Sequence, residues 1–299
     1  MTDNALLHGV FAVKKLLCLC LPIIYLCNVY ANEKVCPEHL TAINAFNNMI
    51  LTQDASARKI PKKVSMHIES KDDYIKADTQ MEFDECGALL SSRSSKTIKS
   101  RINNNVLLTQ LQGSIDKNHN NWDYDMTFKM SMIEHGNAQS ELITQKMSGT
   151  FLTDPNGKII RSEDTSNISA GKNHQSGKAI TTFSTDDAGR LSGSSRVSTL
   201  GNDSSNTVYS YDAKNRLTRM ISGATTEDFT YDNDDRELTS KEVMKSFTTE
   251  TTTTTCKSWD KFGRCINAQQ SISILIKDEK KNRDNVYDHV AEIKYDYVY

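Results

Sequence analysis

The side chains best suited to chemistry are the histidines after residue 31 (His39, His67, His119, His135, His174 and His289), the cysteines of the same stretch, and an acidic run, "YDNDDRELTSKEV", starting at Tyr231. No histidine stands at metal-ligand spacing from another, and no G-x-S-x-G elbow seats a serine nucleophile. His67 alternates with Met66 and Ile68 in "VSMHI", which places it on the wet face of a strand. In the acidic run, Asp232 and Asp234 fit the first and third positions of a calcium loop. Arg236 stands at the fifth, Glu237 where glycine is required, and Val243 where a glutamate is required, so the run reads as a charged turn. No phosphate loop appears. The residues therefore predict no enzyme, no cofactor and no metal. A Ser/His/Asp site assembled in space is the catalytic alternative.

Seven cysteines are present; Cys18, Cys20 and Cys27 precede residue 32, leaving Cys36, Cys86, Cys256 and Cys265. Those first residues are a different material. Lys14 and Lys15 precede the apolar run "LLCLCLPIIYLC", and Val29 and Ala31 stand at −3 and −1 of a cleavage point. This pattern is a signal peptide over residues 1–31, cut after Ala31, and the run is too short for a comfortable membrane span. No stable membrane span is expected after cleavage, and the periplasm is the expected compartment. Export makes disulfides the expected state of the even cysteine set. Three pairings are possible; proximity favours Cys36 with Cys86 and Cys256 with Cys265.

The formal net charge of −2 lacks the basic excess that nucleic-acid binding needs. Hydrophobic residues make up 37% and mean hydropathy is −0.55, which suits strands with one wet face joined by polar turns. Residues 32–60 hold one convincing helix, in which Leu40, Ile43, Phe46, Met49 and Ile50 return at helical spacing while Glu38 and Asn47 lie off the stripe. From residue 61 to 299 the period is two. Ile75, Ala77, Thr79, Met81 and Phe83 share one face. So do Trp122, Tyr124, Met126, Phe128, Met130 and Met132, and, near the end, Ala291, Ile293, Tyr295, Tyr297 and Tyr299. Residues 163–178, rich in Ser, Asn and Gly, read as a loop that could divide the β region into two lobes.

One shape recurs along the β region. "FDECGALL", "FLTDPNGKII", "FSTDDAGRLS", "YSYDAKNRLT", "FTYDNDDRELT" and "SWDKFGRCIN" align on Asp84, Asp154, Asp186, Asp212, Asp232 and Asp260. Five of the six place Gly87, Gly157, Gly189, Asn215 or Gly263 three residues later. Aspartate suits the first position of a type I turn. Glycine and asparagine suit the left-handed residue that fits the turn to strand twist. Each copy thus predicts a hairpin, with Tyr211 opposite Leu217, Phe83 opposite Leu89, Thr153 opposite Ile159 and Thr185 opposite Leu191. The Asp232 copy carries one extra residue, which predicts a longer turn with Tyr231 opposite Leu238. In the Asp260 copy the rule sets Trp259 opposite Cys265, in conflict with a Cys256–Cys265 bridge.

The recurring pattern of aromatic, x, Tyr-Asp, two spacers, Gly or Asn, Arg and Leu resembles the YD repeats of the RHS family, best over residues 183–238. The resemblance implies a spiralling antiparallel sheet; in that family large members form shells around a toxin. The expected fold is mainly β: a large twisted antiparallel sheet of consecutive hairpins with one N-terminal amphipathic helix packed on it. The expected function is an exported binding protein with a protein partner. In its most specific form this is an immunity protein that neutralises an envelope-targeting toxin of an interbacterial secretion system. A structural or assembly factor of the envelope is the alternative from another class.

Overall fold

In the computed structural model, residues 36–299 are described, apart from 54–57, 103–104, 135–138, 202, 247 and 279–282. The signal sequence expected over residues 1–31, and His135, lie outside the described residues. A helix, α1 (Glu38–Thr52), precedes sixteen strands. They are β1 (Lys63–Ser70), β2 (Ile75–Phe83), β3 (Leu89–Ile102), β4 (Asn105–Asn118), β5 (Asn121–Ile133), β6 (Gln139–Thr153), β7 (Ile159–Ala170) and β8 (Asn173–Thr185). The second half holds β9 (Leu191–Ser198), β10 (Ser205–Tyr211), β11 (Leu217–Ser222), β12 (Thr225–Tyr231), β13 (Glu237–Lys245), β14 (Thr249–Trp259), β15 (Cys265–Asp278) and β16 (Arg283–Val298).

Each strand pairs antiparallel with the next, and β16 pairs with β1 from Lys63↔Val298 to Ser70↔Ala291. The expected open twisted sheet is therefore corrected to a closed barrel. The reason lies in the shared face of the first and last strands. Val64, Met66 and Ile68 pair with Tyr297, Tyr295 and Ile293, so the inward apolar alternation runs without a break across the seam. Closure also removes the unpaired edges that an open sheet would leave. Residues 163–178, expected as a loop, form most of the β7–β8 hairpin. Ser, Thr and Asn satisfy the two-residue period there as well as apolar residues do, with Ser162, Asp164 and Ser166 buried.

The polarity of the two barrel faces is unequal. Outward residues form cross-strand ion pairs: Lys63 with Glu82 and His67 with Asp78, each at 2.7 Å, and Arg219 with Asp228 at 2.5 Å. Exposed aliphatic residues share the outer face, and two pairs meet across the ladder, Ile180 with Val197 and Val208 with Ile221. Aromatic residues such as Tyr124, Phe151, Phe183 and Tyr295 line the interior.

The recurring corners all close the same end of the barrel. At each, the Asp N–H donates to the carbonyl four residues on, at 2.8–3.0 Å. The Asp Oδ1 accepts the second and fourth following N–H groups, as Asp212 does from Lys214 and Arg216 at 2.9 Å. Gly87, Gly157, Gly189, Asn215 and Gly263 take positive φ, between 64° and 87°. Asp235, at φ 61°, does the same in the Asp232 copy, so that corner has ordinary length and Tyr231 meets Glu237. The expected longer turn, with Tyr231 opposite Leu238, is corrected: aspartate also tolerates the left-handed region. Phe83, Thr153, Thr185 and Tyr211 face Leu89, Ile159, Leu191 and Leu217. Trp259 faces Cys265, and Cys265 is nevertheless bonded to Cys256. The ladder is irregular between Cys256 and Trp259, and that irregularity accommodates the bridge together with the corner.

Why the aromatic recurs is visible one hairpin further on. Tyr211 donates its hydroxyl to the Leu191 carbonyl at 2.8 Å, Tyr231 to Leu217 at 2.7 Å and Tyr297 to Cys265 at 2.9 Å, while Trp259 donates its indole N–H to Glu237 at 3.2 Å. Each acceptor directly follows the previous corner. That corner's arginine lies over the same ring: Arg190 on Tyr211 at 4.4 Å, Arg216 on Tyr231 at 4.7 Å and Arg236 on Trp259 at 4.9 Å. The Asp212, Asp232 and Asp260 copies thus each cover the corner before them, which ties successive hairpins of the second half together.

Candidate functional site: the barrel lumen

Sixteen strands enclose more space than wall side chains can fill. Part is taken by α1, which closes the corner end of the barrel. Phe46 and Met49 join Leu191 and Leu217 in one cluster, and Leu51 joins Phe83, Leu89 and Trp122 in another. The off-stripe Asn47 is only 1% exposed. Its Nδ2 donates to the Gly157 carbonyl and its Oδ1 accepts from the Ile159 N–H, both at 2.8 Å. Asn44 donates to Cys86 O at 2.9 Å and Asn48 to Gly87 O at 2.8 Å. The expectation of a helix resting on a sheet by one apolar stripe is corrected: three asparagines bond the carbonyls of two corners and seat the helix in the mouth. The Cys36–Cys86 disulfide ties its start to the first corner.

Above this floor lies a cavity of about 1240 Å³. Ile50 and Leu51 form its base, and Met66, Met81, Met126 and Met147 line its walls. Phe151, Phe183 and Phe229 supply ring faces. The volume exceeds the range usual for drug-sized ligands, and methionine adapts its shape to irregular apolar guests.

One polar cluster crosses the wall. Asp164, whose side chain is fully buried, accepts from Arg196 at 2.6 and 2.9 Å and from the Tyr124 hydroxyl at 3.0 Å. Arg196 also donates to Asp203 at 2.7 Å. Burial, then the charge of Asp164, hold the Tyr124 hydroxyl far above its usual range. With both carboxylates in place, the arginine presents no net positive charge to the lumen. On another part of the wall Glu227 and Glu242 face each other at paired inward positions. Burial, and after it the charge of Glu242, push the Glu227 carboxyl above its ordinary value.

Among the described residues, no group of three or more His, Cys, Asp or Glu is arranged to hold a metal. His67 sits outside on Asp78, His289 stacks on Tyr74, and His174 meets Ser169 Oγ at 3.0 Å on the β7–β8 hairpin. The six corner aspartates lie together at the closed end and serve the turns. Sequence reading missed Asn44, Asn47, Asp164, Arg196, Glu227 and Glu242. A signal existed for Glu227, which lies two residues before Phe229 on the apolar face; the asparagines carried none, because the helix's surroundings are set by distant strands.

The fold and lumen define the class: an up-and-down antiparallel β-barrel with a lumen of mixed polarity, a helix closing one end and ion pairs on its outer face. No known family model matches the chain, and no curated protein matches it. Among solved structures, a porin-like protein from Bacteroides uniformis is similar at 8% identity over 80% of this chain and 98% of its own, with a TM-score of 0.42. The resemblance to RHS repeats is corrected, since the hairpins close into one barrel and no family model supports that kinship. The immunity-protein reading drew its link to a toxin from that kinship, and it is withdrawn with it; closure also removes the edge strands that were one of its expected recognition surfaces. Among the described residues, no helix is long and apolar enough to cross a membrane.

Proposed function

We propose that this protein binds an apolar molecule inside its barrel, as a carrier or sequestering protein with a water-facing exterior and no catalytic role. The observation that carries this reading is the enclosed space itself: a cavity of about 1240 Å³, in which methionine and aromatic side chains stand among serines, threonines and charged groups, lies within a shell whose outer face forms ion pairs. Two disulfides support folding in an oxidising compartment, for which we propose the periplasm.

The test is titration with N-phenyl-1-naphthylamine, an uncharged dye that fluoresces in apolar surroundings. Saturable binding near one dye per chain is expected. Met126→Trp combined with Met147→Trp, which narrows the lumen at these paired wall positions, should weaken binding by about tenfold while leaving the far-ultraviolet circular dichroism of the barrel unchanged. Dye binding that never saturates, or whose affinity the narrowed lumen leaves unchanged, would refute lumenal binding.

A further inference from the structure

The open end of the barrel has an uneven rim. All Asp corners lie at the closed end, so strand length sets the height of the opposite rim. Strands β3–β8 have 12 to 15 residues each, and β14–β16 have 11 to 16. In contrast, β10, β11, β12 and β13 have 7, 6, 7 and 9. The wall is therefore low over β10–β13. A second low place, over β1 and β2, is filled by Tyr74, which is 6% exposed and stacks on His289 with ring centroids 3.6 Å apart. Beside β9, Leu200 lies where a side chain on the inward Gly177 would stand, which narrows that flank. The gap over β10–β13 is the remaining way in.

Carboxylates stand inside this gap and on its β14 flank. Glu227 is the third residue of β12, Glu242 is its direct partner on β13, and Glu250, the second residue of β14, shares Glu242's face. None of the three forms an ion pair among the described residues. The cations that line the cavity stand elsewhere: Arg58, Lys214, Arg216 and Arg264 lie at the corner end, and Arg196 on β9 is held by Asp164 and Asp203. Lys96, on the inward face of β3, belongs to the opposite side of the ladder. A guest passing the low rim meets an uncompensated negative field in surroundings less polar than water, where like charges repel strongly.

We propose that ligands enter over the low rim of β10–β13 and that Glu227, Glu242 and Glu250 act there as a charge filter, admitting uncharged or cationic amphiphiles and rejecting anionic ones. The inference rests on the lumenal-binding reading. Its test uses three straight-chain probes, dodecanol, dodecylamine and dodecyl sulfate, each competing with the naphthylamine dye below its micelle concentration. Dodecanol and dodecylamine should displace the dye, with dodecyl sulfate weaker by about tenfold or more. The triple variant E227Q/E242Q/E250Q should bring dodecyl sulfate to within about threefold of dodecanol and leave dodecanol unchanged. Should that variant fail to fold, wild-type protein in about 1 M salt should lose most of the discrimination by screening. Equal displacement by all three probes at low salt would overturn the filter alone. Discrimination that persists both in the variant and in high salt would place its cause elsewhere. Failure of the dye itself to bind would remove the lumenal reading, and the filter with it.

Discussion

Tyr124 on β5 donates its hydroxyl to Asp164 on β7 at 3.0 Å, across the intervening strand, because Gly149 stands between them. A Cβ at that glycine would lie 2.6 Å from Asp164 Cβ and from Glu163 O, and 2.7 Å from the tyrosine ring. Gly149→Ala should therefore destabilise the barrel by about 1–3 kcal/mol, the cost of overpacking a filled site. Tyr124→Phe should cost less, about 1 kcal/mol, because only one bond is lost. Urea unfolding measures both; equal stability of the alanine variant and wild type would contradict the close approach.

Removing the carboxylate at residue 164 should be harsher than removing the tyrosine hydroxyl. Asp164→Ala leaves Arg196, its side chain 16% exposed, with Asp203 as its remaining partner. Breaking a buried pair from one side costs about 3–5 kcal/mol. Asp203 retains part of the pairing and should hold the loss near the lower figure. A change below about 1 kcal/mol would show the cluster to be structurally idle.

The helix plug depends on Asn47. Asn47→Leu keeps the size but strands the half-buried Gly157 carbonyl and the buried Ile159 N–H, both bonded at 2.8 Å. A loss of about 2 kcal/mol or more is expected, with faster amide exchange in α1 than in β7. Uniform acceleration across the barrel would mean that helix and barrel unfold together.

Glu227 supplies a pH signature. Its carboxyl is raised by burial and then by Glu242, so the fold binds its proton more tightly than the unfolded chain does. Its unfavourable contribution is absent at low pH and develops as pH rises through the folded pKa. Glu227→Gln should thus raise the melting temperature at about pH 7.5, and the gain should vanish towards about pH 4. An identical gain at both pH values would exclude charge as its origin.

The outer face predicts behaviour towards lipid. Lys63 and Arg219 on that face would each cost about 2–4 kcal/mol at a bilayer midplane. The folded protein should stay in the aqueous fraction when floated with phosphatidylcholine vesicles. Stable co-flotation resistant to carbonate washing would show that the exterior faces lipid after all.

Much of this fold is written in local sequence. The two-residue alternation fixes strands and the side each residue faces, because successive side chains in a strand point oppositely. The corners are equally local: an aspartate bonds its own turn's N–H groups, and Gly157 or Asn215 accepts a left-handed backbone. Pairs such as Tyr211 with Leu217 follow from those two rules. The Asp232 copy misled because Asp235 occupies the left-handed position without being glycine or asparagine.

What local pattern left undecided was whether the ladder of hairpins stays open or closes, since alternation sets faces and not curvature. Tertiary structure decided this by pairing Lys63–Ser70 with the last strand, residues far apart in the chain whose apolar faces match. Closure then created everything of functional interest. It turned one face of every strand into a lumen, drew Asn47 from an off-stripe position into a buried mouth, and placed Glu227 beside Glu242 on the inner wall. Those properties belong to no single segment, because each depends on which distant strands become neighbours.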